Sequence, residues 1–467
     1  MRGRAIGTFV ACMCANVALL VSCNSDPHPN CAVPTSGWTQ VAYVKRPIEE
    51  LPPQFGHALA MSGDGNTLAV TALDGAVGVD SRASPSGAVV VFKREGARWR
   101  FDETIRPTPT NLEVSFGWLL ALSGDGRRLV VTAPFDNPVK PELSDGSALV
   151  FDRTPSGWKQ AASLKVGPDD GGPLGVSVAI SGDGARIALG IEGGSEGFGT
   201  LRVFDRDSST GDWKATADVQ PPDMGKCDYV CEEHYASAAA LSSDGNTLVV
   251  GNWGRTIVMR GRAGVPTQGP GSAWVFRLTD GRWQALQKLT SSSPVEGGRF
   301  GDDLAISSDG QVIAVGTTTQ ALVHVFRETQ GHWTETHRLT TPSPVWRGFG
   351  GPLALSGDGS RLIVAVASDP TTAVGTAGSL CAPTERTGNG VVYGFADDGR
   401  SFQAALRPAV HHQSAAFGVG LAISADGRTL AVGAPGEDSA ALGVDGDQND
   451  HSLPNAGAVY LFQDGSP

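Results

Sequence analysis

The last long loop of the chain carries an alternating run of oxygen donors, Asp445, Asp447 and Asn449, with Asp450, Glu437 and Asp438 beside it. Carboxylates at alternate positions can wrap a hard cation with side-chain and backbone oxygens, so calcium is the candidate cofactor. A second group, Trp253, Arg255, Arg260 and Arg262, sets an aromatic ring and three guanidiniums in an otherwise acidic chain. It would grip an anionic polysaccharide or an acidic patch on a protein. Other constellations are weaker. Gly193–Gly197 matches G-x-S-x-G by letters, but that motif needs a strand-to-helix turn in an α/β sheet. His411-His412 stands without a carboxylate or metal partner near it in sequence. Cys227 and Cys231, with His234 close by, lack the second ligand pair a zinc site requires. No HExxH, P-loop or paired catalytic carboxylates occur, and the chain is not expected to be an enzyme.

The elements that carry these residues form a repeat. A phrase best seen at Phe417–Pro435, FGVGLAISADGRTLAVGAP, has earlier copies starting at Phe55, Phe116, Leu174, Tyr235, Phe300 and Phe349. The starts lie 61, 58, 61, 65, 49 and 68 residues apart, so each copy is one supersecondary unit with a variable loop. Apolar bursts flank an Asp-Gly turn, the mark of a hairpin. A third strand follows in phrases such as GAVVVF at Gly87–Phe92 and GAVYLF at Gly457–Phe462, rich in residues that suit a half-buried pleat. A fourth begins at an aromatic: Trp99, Trp158, Trp213, Trp283, Trp333 and Phe402. Four antiparallel strands per unit, repeated seven times, predict an all-β, seven-bladed propeller.

The aromatic occurs six times against seven openings, because the chain ends just after Phe462. The missing copy is at the other end, in Ser36-Gly37-Trp38-Thr39-Gln40-Val41. This N-terminal strand is expected to complete the last blade and leave no open sheet edge at the seam. The propeller therefore spans residues 38–467. Helical periodicity is nearly absent, and the 62 glycines and 29 prolines fall in turns at blade period. The formal charge of −12 without a long basic run excludes nucleic acid as a partner and favours a soluble monomer. Loops between second and third strands are long in the first, fourth, sixth and seventh units (71–86, 252–270, 367–389 and 434–455). Such loops on a rigid scaffold are where binding resides.

Residues 1–22 pair a basic start, Met1-Arg-Gly-Arg4, with an apolar stretch too short to span a membrane comfortably. The segment ends Leu20-Val21-Ser22-Cys23, which resembles a bacterial lipobox. The resemblance implies cleavage before Cys23, lipidation of that residue, and a polar tether over 23–37. It places the domain outside the cytoplasm, held to the membrane by lipid alone, on the outer membrane where there is one. More than one acyl chain makes such anchoring stable. Four further cysteines, Cys31, Cys227, Cys231 and Cys381, permit disulfides in an oxidising compartment. A local Cys227–Cys231 bridge is expected first, with Cys31–Cys381 then joining the tether to the sixth unit.

With its FG opening and GAP close, the repeat resembles the FG-GAP family, which includes the propeller of integrin α-chains and bacterial envelope proteins. The resemblance runs from about Trp38 to Phe462 and is closest in the last unit. It implies an adhesion or interaction scaffold whose ligand, a protein or polysaccharide, sits on one propeller face. Integrin-type repeats hold calcium between the first two strands. Here that loop has shrunk to tight turns at Asp64, Asp125, Asp183, Asp244, Asp309, Asp358 and Asp426, and one carboxylate per turn cannot supply six to eight oxygens. These aspartates are expected to bond their own backbone. One alternative is a carbohydrate-binding module with Trp253, Trp118 or Trp346 exposed. Another is a hydrolase or lyase around the central channel. That one needs ionisable residues on inner strands, which read LALS, VAIS and LAIS.

Overall fold

The computed structural model describes residues 37–73, 87–108, 115–134, 146–166, 172–191, 193, 199–223, 230–258, 267–341, 348–367, 390–410, 412 and 414–465. Seven antiparallel sheets succeed one another along the chain, each with four main strands, in sequence order in the first six. Blade 1, for example, comprises Phe55–Met61, Thr67–Ala72, Ala88–Glu95 and Arg98–Ile105. Second and third strands, packed between neighbouring blades, are almost wholly buried: Thr429–Ala434 has no exposed residue. The fourth strands alternate toward solvent, as Gly157–Lys165 does. This gradient explains why the inner phrases read as runs of Val, Ala and Leu while the outer ones mix Lys, Glu and Thr.

The seventh sheet closes the ring. Its order runs from Leu421–Ile423 through Thr429–Ala434 and Ala458–Asp464 to Trp38–Val44. In the other six blades the register between third and fourth strands slips by one residue just before the recurring Phe, as at Val91/Phe92 and Val150/Phe151. The seam shows the same slip between Gln40 and Ala42, opposite Phe462 and Leu461. The N-terminal strand thus repeats the bulge of a genuine fourth strand, and its Trp38 is buried like Trp99 and Trp333.

Two features of the repeated phrase have structural causes. The FG glycines have left-handed φ, for instance 94° at Gly56 and 101° at Gly175, and in blade 4 Ala236 takes the same region at 63°. Glycine reaches it without steric cost, so the motif keeps glycine in six blades. The glycine of VGA is required for space. A Cβ on Gly316 would lie 1.6 Å from the carbonyl oxygen of Gly350 in the next blade, and on Gly433 1.9 Å from that of Gly56.

The Asp-Gly turns behave as expected from their sequence. Asp64 Oδ1 accepts from the Ser62 hydroxyl at 2.5 Å and the Asn66 N–H at 2.9 Å, and the six other turns repeat the pair. The residues between each Ser and Asp also bond around the axis. N–H groups of Gly63, Gly182, Ser243, Ser308, Gly357 and Ala425 donate to the carbonyls of Gly124, Ser243, Ser308, Gly357, Ala425 and Gly63, at 2.7–2.9 Å. Six links join the turns of seven blades into a near-continuous ring. At this end the turns meet as backbone.

One loop is more ordered than its sequence indicates. The first two strands of blade 4 extend to Val230–Leu241 and Thr247–Val258, with Thr267–Gln268 added alongside. Trp253 and Arg255 therefore sit on a strand, because residues 230–235 keep pairing with 252–258, Glu233 opposite Arg255 and Cys231 opposite Ile257.

Candidate functional site at the channel mouth

Where the first strands begin, the ring is open. The second and third residues after each FG-type pair surround a cavity of about 370 Å³. Ala58, Leu119, Val178, Ala238, Leu353 and Leu421 make much of it apolar, but His57, Ser177, Ser237, Asp302 and Asp303 line it too. The expectation of a small, apolar inner surface is thus corrected. It holds for the strand bodies, while the polar groups enter at the mouth, one or two residues before the LALS-type phrases begin.

Asp303 is the most perturbed of these. Its Oδ1 accepts the Leu304 N–H at 2.7 Å and its Oδ2 the Leu353 N–H at 3.0 Å, from the neighbouring blade. Burial pushes its carboxyl up to about 7, outweighing both N–H donors, and the charge of Asp302 acts in the same direction. Burial also lowers the His57 imidazole below its ordinary value, and its ring lies 5.8 Å from that of Trp118. The mouth therefore offers a carboxyl able to gain or lose a proton near neutral pH, the property of a general acid or base.

Beside it, Asp302 accepts the Thr318 hydroxyl and pairs with Arg299 at 3.4 Å. Arg299, at φ 57°, holds its guanidinium 4.1 Å from the centre of the Trp253 ring. The His234 ring stacks on Trp253 at 3.7 Å and 7°. A continuous polar and aromatic strip thus runs from the channel to the second strand of blade 4. Trp253 is brought to Arg299, a residue the sequence did not single out because its partner lies 46 positions earlier. The side chain of Arg255, together with Arg260 and Arg262, lies outside the described residues, as do Trp346, Ser195, Cys23, Cys31, Cys227, Cys381 and the side chain of Cys231.

The seventh-blade run is well placed. Asp445 Oδ1 accepts the Tyr43 N–H at 3.0 Å, tying the loop to the closing strand. Asp447 Oδ1 accepts the Asn449 N–H at 2.9 Å, and Asp450 Oδ2 accepts the Ala440 N–H at 2.7 Å. Each carboxylate thus has a backbone donor. Deeper in the same loop, fully buried Glu437 is ion-paired with buried Lys45 and accepts the Tyr43 hydroxyl at 2.7 Å. Next to it, Asp438 accepts from both His412 and His451, the latter at 2.9 Å. Burial alone would raise Asp438, but the two imidazoles hold it below the usual carboxylate range. His412 thus acquires the carboxylate partner that its sequence neighbourhood lacks.

No protein-family model matches the chain, and no curated protein matches it in sequence. Solved structures do share its fold. The β-propeller domain of Cps50 (Swd1) from Myceliophteria thermophila is similar at TM-score 0.53 and 10% identity, over 91% of this chain and 100% of that one. A putative 6-phosphogluconolactonase from Bacteroides uniformis is similar at TM-score 0.48 and 15% identity, over 79% and 89%. The periplasmic gluconolactonase of Pseudomonas aeruginosa is similar at 0.46 and 18%, over 75% and 85%. The chain is an all-β, seven-bladed propeller, a fold found in proteins named for an activity and in others that are not. The expectation that it is not an enzyme is withdrawn, because the fold is shared by structures with and without an enzyme's name and does not decide activity. At these identities the likeness is one of fold, so any chemistry must be sought in this chain's own channel mouth.

Proposed function

We propose that this protein is an FG-GAP-type propeller, anchored outside the cytoplasm through lipidated Cys23, that binds a protein surface or polysaccharide on the face where its channel opens. The observation that carries this reading is the asymmetry of the two ends. One is drawn together by backbone bonds between turns. The other opens as a cavity rimmed by Asp302, Asp303 and His57, with the Trp253–Arg299 pair alongside. Flat aromatic and guanidinium groups suit sugar rings and carboxylates alike. The test has two arms. Cys23→Ser should move the protein from the membrane fraction to the soluble one. The full chain in detergent, probed on a glycan array and against purified envelope proteins, should lose its ligand on Trp253→Ala or Arg299→Ala. Unchanged binding by both variants would overturn the assignment of this face.

A second reading is favoured by the proton affinity of Asp303 at the mouth. In it the same face hydrolyses a small bound substrate, with Asp303 as the acid or base. A hydrolytic rate abolished by Asp303→Asn, while ligand binding persists, would select that reading.

A further inference from the structure

The geometry points to a transition-metal site of the zinc type in the seventh blade, with His412, Asp438 and His451 as its protein ligands. One ligand atom from each lies within 4.8 Å of the other two. His412 comes from the connection into blade 7 and the other two from the loop between that blade's second and third strands. Two imidazole nitrogens and one carboxylate oxygen suit zinc, iron, nickel or copper, whereas calcium takes a shell of six to eight oxygens. Three protein ligands with a fourth position left over is the pattern of metal sites that also bind water or substrate.

The surroundings have the form such a site needs. The far nitrogen of His412, Nε2, lies 3.3 Å from Glu437 Oε1 without a hydrogen bond to it, while Nδ1 faces Asp438. Glu437 is itself fixed by Tyr43 of the closing strand and Lys45 just after it, so the ring seam supports the site. The backbone of Asp438 is pinned by the Leu453 N–H at 2.8 Å. His412 is fully buried, whereas His451 is 49% exposed, which leaves one open side. A tetrahedral zinc site has ligand atoms roughly 3.4 Å apart, and the exposed His451 ring, now 2.9 Å from Asp438 Oδ1, is the ligand able to shift to admit the ion.

The test uses the full chain in detergent, stripped with chelator and titrated separately with zinc, cobalt and calcium. One equivalent of zinc should bind by calorimetry and raise the thermal midpoint, and cobalt should give the visible absorption of a four-coordinate site. His451→Ala, a change at an exposed ring that leaves the fold intact, should abolish both signals. His412→Ala removes a buried group, so it serves only as confirmation. The inference is overturned if wild type takes up no zinc, or if His451→Ala binds as wild type does. A midpoint raised by calcium and not by zinc, and lost in Asp445→Ala with Asp447→Ala, would also overturn it and place a calcium site in the neighbouring turn.

Discussion

Replacing Lys45 by Met isolates what the ring seam depends on. Lys45 and Glu437 have no exposed side-chain surface and form an ion pair. Burial lowers the Lys45 ammonium below its ordinary value, and the charge of Glu437 offsets part of that. Methionine fills similar space but leaves the Glu437 carboxylate buried with the Tyr43 hydroxyl at 2.7 Å and the Ser439 N–H at 3.1 Å as its remaining donors from the seam and its own loop. Stranding one partner of a buried pair costs about 3–5 kcal/mol. The two surviving hydrogen bonds set the expectation at the lower end, about 3 kcal/mol. Lys45→Met with Glu437→Gln removes both charges and should recover at least about half of that loss. Urea unfolding followed by tryptophan fluorescence gives both differences from midpoint and slope. Limited proteolysis should show the N-terminal strand cut first in the single variant. A single variant within about 1 kcal/mol of wild type, or a double variant no better than the single, would refute the view that this pair holds the strand by charge.

Two further outcomes test the channel and the blade contacts. The Asp303 carboxyl, ordinarily near 3.8, is pushed up to about 7 in the fold, so its stabilising contribution is complete below about pH 4 and is lost as pH rises through about 7. The thermal midpoint of wild type should therefore fall relative to Asp303→Asn between about pH 4 and pH 8, and parallel midpoints across that window would refute the assignment. Gly316→Ala places a methyl 1.6 Å from the Gly350 carbonyl oxygen. Because that neighbour is backbone and cannot rotate away, a loss of about 1–3 kcal/mol in urea unfolding is expected, and a neutral result would show that blades 5 and 6 can slide apart at little cost.

The blade count, the four-strand unit and the strand that closes the ring were legible in the sequence because each is written locally and then repeated. Period-two bursts, an Asp-Gly turn and an opening aromatic need only neighbouring residues for their physics. Even the closure could be read, since one missing Trp at the end and one surplus Trp at the start admit one solution. The Asp-Gly aspartates follow the same logic, each bonding to backbone two residues on. What brings function together is different in kind. Asp303 acquires its proton affinity from burial against blade 6, Trp253 meets Arg299 across blades 4 and 5, and His412 finds Asp438 and His451 across 26 and 39 positions. No periodicity encodes those meetings. They arise because the ring turns the variable ends of separate repeats toward one face, and because burial there changes what each group can do. The order of the blades was settled along the chain, and the chemistry of the mouth and the seam by what those blades enclose.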